Sequence, residues 1–371
     1  MGGNLHNLDA TLNAVCPYFT MFPLEFPLEV LARNRDPESW VLDPFCGRGT
    51  TNFAARLRGL PSVGVDSSPV AVAIAQSKVV STSPRAVVNC AKNILERFRP
   101  SRVPEPEGMF WKKAFHPRTL HRLCHLRQEL IADCKSPERK ALRAILLGSL
   151  HGPLTKSTPS YFSNQCPRTF APKPEYAVRF WKKHNFRAPL VDVIPLVQTR
   201  AERYFATCLP GIRSDIIEAD SRAWKDKRSR RRFSWVITSP PYYGMRTYVP
   251  DQWLRNWFVG GPDGVDYSAR VVDFQHSSPE EFSGQLRRVW VNAAQMSHPQ
   301  ARLVCRFGGI HDRKQDCLEI IKNSFLDSGW RVTTIRDAGT ASQGRRQAIQ
   351  MGDGQKEHPR SEYDVYARIC S

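Results

Sequence analysis

The sequence predicts an α/β protein built on a Rossmann-like, mainly parallel sheet with a basic helical insert. Three observations predict it. Short apolar segments end in acidic residues, glycine-rich or Ser-Pro turns follow them directly, and residues 81–210 break that rhythm before it resumes.

The elements follow in order. Val41-Leu42-Asp43 reads as a buried strand end entering a glycine-rich turn, and Thr50 to Gly59 as a helix that stops at its glycine. Val63-Gly64-Val65-Asp66 is the next strand, and Ser68-Pro69 opens a helix to about Lys78. In the insert, Leu120, Leu123, Leu126 and Leu130 recur at helical spacing, Glu138–Leu150 forms a second helix and Val191–Thr207 a third. The Pro-rich stretch Pro153 to Pro174 reads as an ordered loop. Strands resume at Asp215–Ala219 and Phe233–Thr238; a helix over Glu280–Ser297 leads to a strand at Arg302–Phe307. A helix over Cys317–Ser328 and strands at Arg331–Ile335 and Tyr363–Ile369 bring the count to about seven strands. The sheet domain is therefore expected over 1–80 and 211–371, with the insert over 81–210.

Composition narrows the class. Of 371 residues, 41% are hydrophobic, and 19 Phe, 10 Tyr and 9 Trp supply a sizeable core, which excludes wholesale disorder. No uncharged apolar run approaches the ~18 residues of a membrane span. The first ten residues carry neither the basic start nor the apolar stretch of a secretory signal, and Met1-Gly2 lacks the Ser/Thr of a myristoylation signal. Ten cysteines are scattered singly with no CxxC pair, which suits reduced thiols in a cytoplasmic protein and predicts no metal site.

Charge points to a partner. The net charge is +19. Residues 81–210 hold 23 basic and 9 acidic side chains, a balance of +14, and Lys225 to Arg232 supply the other +5. An excess confined to one insert and one loop is the footprint of a polyanion, so nucleic acid is the expected partner. The candidate phosphate contacts are Arg168, Lys173, Arg179, Lys182 and Lys183 in the insert, with Lys227, Arg228, Arg230 and Arg231 in the loop.

Two motifs carry chemistry. Asp43-Pro44-Phe45-Cys46-Gly47-Arg48-Gly49-Thr50-Thr51 sits at a strand-to-helix turn, where Gly47 and Gly49 admit a ligand and the helix start offers free N–H donors. Asp66 ends the next strand, placed to accept from ribose hydroxyls. A nicotinamide-type loop would want a third glycine where Asn52 stands. The second motif, Thr238-Ser239-Pro240-Pro241-Tyr242, follows an apolar strand. Its two prolines remove two N–H groups and aim their carbonyls rigidly, and a hydroxyl and an aromatic ring flank them. That set suits a planar ring bearing an amine.

On these residues the chain resembles the S-adenosylmethionine-dependent amino-methyltransferases of DNA. DPFCGRGTT at 43–51 resembles their cofactor loop, GVDSS at 64–68 the ribose-binding acid, EADSR at 218–222 the acid near the adenine ring and TSPPY at 238–242 the catalytic motif. CPYFTMFP at 16–23 resembles the segment under the methionine end of the cofactor. The resemblance implies the class I methyltransferase fold and a set of roles. Tyr18, Phe22, Asp43, Pro44, Phe45, Gly47, Gly49 and Thr50 would hold the methionine moiety. Asp66 would hold the ribose, and Asp220 or Ser221 the adenine. Ser239 and the Pro240 carbonyl, beside Pro241, would accept from the target amine, and Tyr242 would stack on a base flipped out of double-stranded DNA. Cytosine N4 is the expected acceptor; adenine N6 and, on the same fold, RNA guanine N2 are the alternatives, with a catalytically silent DNA-binding protein a further one. Cytosine-C5 enzymes are set aside, because no Cys in this chain follows Pro to serve as their nucleophile. A cognate restriction endonuclease is a possible partner implied by the family.

Overall fold

The computed structural model describes residues 9–18, 23–97, 103–152, 160–163, 173–227, 231–243, 252–265, 278–308, 316–340 and 361–370. Phe22, Arg168, Arg228 and Arg230 lie outside the described residues, as does most of the Pro-rich stretch.

A 3-10 turn over Asp9–Ala14 precedes α1 (Glu25–Leu31), β1 (Trp40–Asp43), α2 (Thr50–Leu57), β2 (Ser62–Asp66) and α3 (Pro69–Lys78). Six helices follow: α4 (Pro84–Glu96), α5 (Met109–Ala114), α6 (Pro117–Ala132), α7 (Pro137–Leu147), α8 (Pro174–Lys183) and α9 (Val193–Phe205). Then come β3 (Ser214–Glu218), β4 (Phe233–Thr238), α10 (Trp253–Phe258), α11 (Pro279–Gln295), β5 (Ser297–Gly308), α12 (Cys317–Phe325), β6 (Trp330–Thr340) and β7 (Ser361–Ile369).

Among the described residues the seven strands form one sheet in the order β3-β2-β1-β4-β5-β7-β6. The first five are mutually parallel, and β7 runs antiparallel to both β5 and β6. The Rossmann-like expectation holds, and the class I methyltransferase order is the one observed. Strand order reverses between β1 and β4. That reversal is where loops diverge to opposite faces and an α/β sheet takes its ligand.

Helix starts in this chain use one recurring device. Ser83, Ser136 and Ser278 each accept a backbone N–H with the side-chain oxygen and are followed by proline at the first helical position. The hydroxyl satisfies an orphan donor and the ring presets φ, so each start is fixed locally. Helix α4 adds to the expected elements, and its Ser83-Pro84 start repeats the Ser68-Pro69 signal. Helix ends were overrun: α7 stops at Leu147 rather than Leu150, and α12 at Phe325 rather than Ser328.

The chain packs as two units. One comprises Tyr18–Ala75, Pro210–Arg246 and Arg270–Ser371 and contains the whole sheet. Its core lies between β4, β5 and β7 and the pair α11 and α12, where Trp290 and Phe325 stack at 5.3 Å. The indole N–H of Trp290 donates to Ser324 at 3.0 Å, so the buried polar edge is satisfied. The other unit comprises Met1–Pro17, Gln76–Leu209 and Thr247–Ala269. It is helical, with Phe110, Trp111, Trp181, Trp253 and Trp257 in one aromatic cluster. No described helix is long and apolar enough to cross a membrane.

Candidate active site

The site is assembled from four loops at the C-terminal ends of β1, β2, β3 and β4. Asp43 ends β1 and is wholly buried. Its Oδ1 accepts from the Thr238 hydroxyl at 2.6 Å and from the Phe45 N–H at 3.1 Å. Thr238 ends the neighbouring strand β4, so this one hydrogen bond joins the glycine loop to the TSPPY motif. Thr51 adds a second tie, its hydroxyl donating to the Ile237 carbonyl at 3.3 Å. The other Asp43 oxygen, Oδ2, is buried without a hydrogen-bond partner among the described residues. Burial pushes the Asp43 carboxyl up to about 6; the Thr238 hydroxyl, the neighbouring Thr51 hydroxyl and the Phe45 N–H pull against it, and the charge of Asp66 adds to the rise.

The glycine loop is held by backbone donors. The Gly47 N–H donates to Asp66 Oδ2 at 2.8 Å and the Ser68 N–H to Oδ1 at 2.9 Å. Gly47 has φ +48° and Gly49 φ +76°, both in the left-handed region that glycine occupies without a Cβ clash. The two differ in what surrounds them. A Cβ on Gly49 would fall 2.7 Å from the Cβ of Ala75, so packing against α3 requires the glycine. Among the described residues, a Cβ on Gly47 would meet nothing within 4 Å. Among the described residues Gly47 therefore faces open space beside the Asp66 carboxylate.

The third loop follows β3. The Asp220 carboxylate receives the Arg222 guanidinium through Nε and Nη2, the latter at 2.8 Å, and the Arg222 N–H at 2.9 Å. Burial works to raise its pKa, but those bonds hold Asp220 below its usual range. The Ser221 hydroxyl donates to the Pro44 carbonyl, tying this turn to the glycine loop. The Asn292 amide, from α11, donates to the carbonyls of Ser221 and Arg222. Phe45 is half-buried with its ring edge on Trp290 at 6.2 Å, while Tyr18, Pro44 and Thr50 are buried.

The β4 loop presents Ser239 and Pro241 half-buried and Pro240 buried. Tyr242 corrects the sequence expectation. Its ring is 6% exposed, edge-on to Phe307 at 5.8 Å, and its hydroxyl donates to Glu362 Oε1 at 2.6 Å. A ring packed on this scale has no open face for stacking. Glu362 was not foreseen, because it lies 120 residues downstream on β7. Its only sequence signal is an inward-facing alternation of Glu362 and Asp364.

Of the expected phosphate contacts, Lys173, Arg179, Lys182, Lys183 and Lys227 are exposed, the first four on or beside α8. Arg231 is not. Its side chain is 6% exposed, ion-paired with Asp226 and with Asp215 at 2.6 Å, and it lies over the Trp40 ring. Its charge is neutralised inside the sheet unit, which corrects its assignment to a phosphate. Among the described residues no cluster of His, Cys, Asp and Glu could hold a metal ion.

Solved structures similar to this chain include the rRNA methyltransferase aviRa from Streptomyces viridochromogenes, 15% identical, covering 98% of this chain and 94% of that one at a TM-score of 0.36. A glycopeptide N-methyltransferase, MtfA, complexed with S-adenosyl-L-methionine, is 10% identical and covers 98% of this chain and 97% of its own, with a TM-score of 0.34. Magnesium protoporphyrin IX methyltransferase from Synechocystis PCC 6803, with bound cofactor, is 9% identical and covers 100% of this chain and 87% of its own, with a TM-score of 0.33. No curated protein matches the chain. Residues 4–77, which include the glycine loop and Asp66, match the model of the N6/N4 methyltransferase family, a family of DNA methylases.

Proposed function

We propose that this protein is an S-adenosylmethionine-dependent DNA methyltransferase acting on an exocyclic amine, with cytosine N4 the acceptor. The observation that carries the reading is the Asp43–Thr238 hydrogen bond, which locks the glycine loop and the TSPPY loop together at the switch point of the sheet. The family match over residues 4–77 supports the same class.

The residues fit the cofactor. Among the described residues Gly47 faces open space beside the Asp66 carboxylate, and Asp43 Oδ2 is an unsatisfied buried acceptor suited to an ammonium group. Gly47, Asp43 and Asp66 would hold the methionine and ribose portions, and Asp220 the adenine. When bound, S-adenosylmethionine supplies a methyl group activated by its sulfonium. Ser239 and the Pro240 carbonyl accept hydrogen bonds from the target amine and orient its lone pair for in-line transfer. The nitrogen–carbon bond would form as the carbon–sulfur bond of the cofactor breaks, and the amine proton would leave to solvent after transfer. Ser239 is uncharged, so it orients the amine without first removing a proton. A base inside a duplex cannot reach the loop, so the target is extruded. The exposed cations Lys173, Arg179, Lys182 and Lys183 are the proposed phosphate contacts, in a cytoplasmic setting.

The test is incubation with tritiated S-adenosylmethionine and duplex DNA, followed by mass spectrometry of the nucleosides. N4-methylcytosine is the expected product. N6-methyladenine alone would reassign the base, modified guanine in RNA would reassign the substrate, and 5-methylcytosine would overturn the mechanism.

A further inference from the structure

Tyr242 belongs to the acceptor loop, yet three features of β5 and β7 hold it in the core. Its hydroxyl donates at 2.6 Å to Glu362, which is 4% exposed. Its ring meets the edge of Phe307. It also lies over Gly308, where an added Cβ would come within 3.2 Å of two ring carbons. Gly308 and Glu362 are direct cross-strand partners in the β5–β7 ladder, so the missing side chain and the carboxylate form a two-sided clamp at one rung. Two rungs away the ladder is braced by Arg306, which grips Asp364 through Nε at 2.7 Å and Nη2 at 2.8 Å. That ion pair is 12% exposed on each side. The clamp is thus built on a stiff pair of strands, and the residue it grips follows Pro240 and Pro241, whose ring-fixed φ angles transmit little slack.

From this geometry we infer that Glu362 is a positioning residue: its hydrogen bond to Tyr242, with the clearance at Gly308, sets where Ser239 and the Pro240 carbonyl stand. The inference rests on the proposed function of that loop. Glu362 touches no reacting atom. It acts through Tyr242, two residues from Pro240 along a stiff backbone, and a loop displaced by an ångström misaligns an in-line transfer. The arrangement also accounts for the burial of a ring that base stacking would need exposed.

The experiment compares the full-length wild type with Glu362→Gln, Glu362→Ala, Tyr242→Phe and the double variant Glu362→Ala/Tyr242→Phe. Single-turnover methyl transfer to duplex DNA, S-adenosylmethionine binding by calorimetry and thermal unfolding are measured for each. Glu362→Ala and Tyr242→Phe should each slow transfer about tenfold or more, as loss of one hydrogen bond to a charged group does. Cofactor affinity should stay within about twofold, since the clamp lies outside the glycine loop. The double variant should be no slower than the worse single, because both remove the same bond. Glu362→Gln retains an acceptor oxygen and should restore most of the rate, which also covers a poorly folded alanine variant. Unchanged transfer in Glu362→Ala despite a lowered melting temperature would overturn the inference, leaving Glu362 structural. Additive losses in the double variant would overturn it as well, and so would faster transfer, which would mark the clamp as a restraint. A wild type that methylates no nucleic acid while binding the cofactor would instead overturn the proposed function, and this inference with it.

Discussion

Two of the loops at the site are held in opposite ways. The glycine loop after β1 is fixed by its own neighbourhood: Gly47 and Ser68 donate to Asp66, Phe45 donates to Asp43, and all lie between residues 43 and 68. The acceptor loop after β4 is fixed from a distance. Thr238 reaches back to Asp43 and Tyr242 reaches forward to Glu362 on the last strand. Local backbone donors make a rigid cradle from a short motif, whereas the acceptor loop inherits its geometry from the completed sheet. Damage to the first should be felt as lost cofactor binding, and damage to the second as lost transfer.

The largest expected effect would break the local loop itself. Gly49→Ala forces a Cβ into the left-handed region and to 2.7 Å from Ala75. Strain and overpacking together should cost about 2–5 kcal/mol, read as a fall in the thermal unfolding midpoint. An unchanged midpoint would mean that α2 and α3 separate easily.

Next is the buried acid shared by both loops. Asp43 titrates near 6 in the folded protein against 3.8 as its ordinary value. Between about pH 4 and 6 the folded state holds the proton more tightly than the unfolded state. Its contribution therefore favours folding at low pH, is lost as pH rises through that window, and is flat above it. The loss amounts to about 3 kcal/mol. Asp43→Asn should remove that slope and raise the unfolding midpoint at neutral pH relative to wild type. A variant whose difference from wild type does not change with pH would show that the residue stays ionised throughout.

The ribose acid sharpens the contrast. Asp66→Ala removes an acceptor and leaves two backbone donors unmatched, and cofactor binding should weaken by about 1.5–3 kcal/mol in a calorimetric titration. If Glu362→Ala weakened cofactor binding as much, the two loops would not be separable.

The smallest effect lies outside both loops. Replacing Lys182 and Lys183 by Ala should weaken DNA binding alike on all sequences and flatten the slope of log affinity against log salt by about one to two units. Arg231→Ala should leave that slope unchanged, because its charge is already neutralised by Asp215 and Asp226. A flattened slope for Arg231→Ala would return that residue to the interface.

Much of this was legible in the residues. All seven strands and the helices after β1 and β2 were readable, because apolar runs ending in Asp and Ser-Pro starts are local signals. The glycine loop with Asp66 was legible for the same reason. Among the site residues, what failed was of one kind. The Tyr242 ring was expected to face a ligand and the Arg231 guanidinium a phosphate, and both instead found carboxylates of this chain: Glu362 lies 120 residues from Tyr242, and Asp215 16 residues before Arg231.

By itself, then, the sequence determined the class of fold, the cradle after β1 and the confinement of positive charge to one insert and one loop. These depend on periodicity, turn chemistry and composition, which act within a few residues. Only the tertiary structure decided which charged and aromatic side chains remain available for a partner. Availability depends on what the sheet brings alongside. A carboxylate supplied by a distant strand in a low-dielectric interior captures a hydroxyl or a guanidinium more firmly than water does.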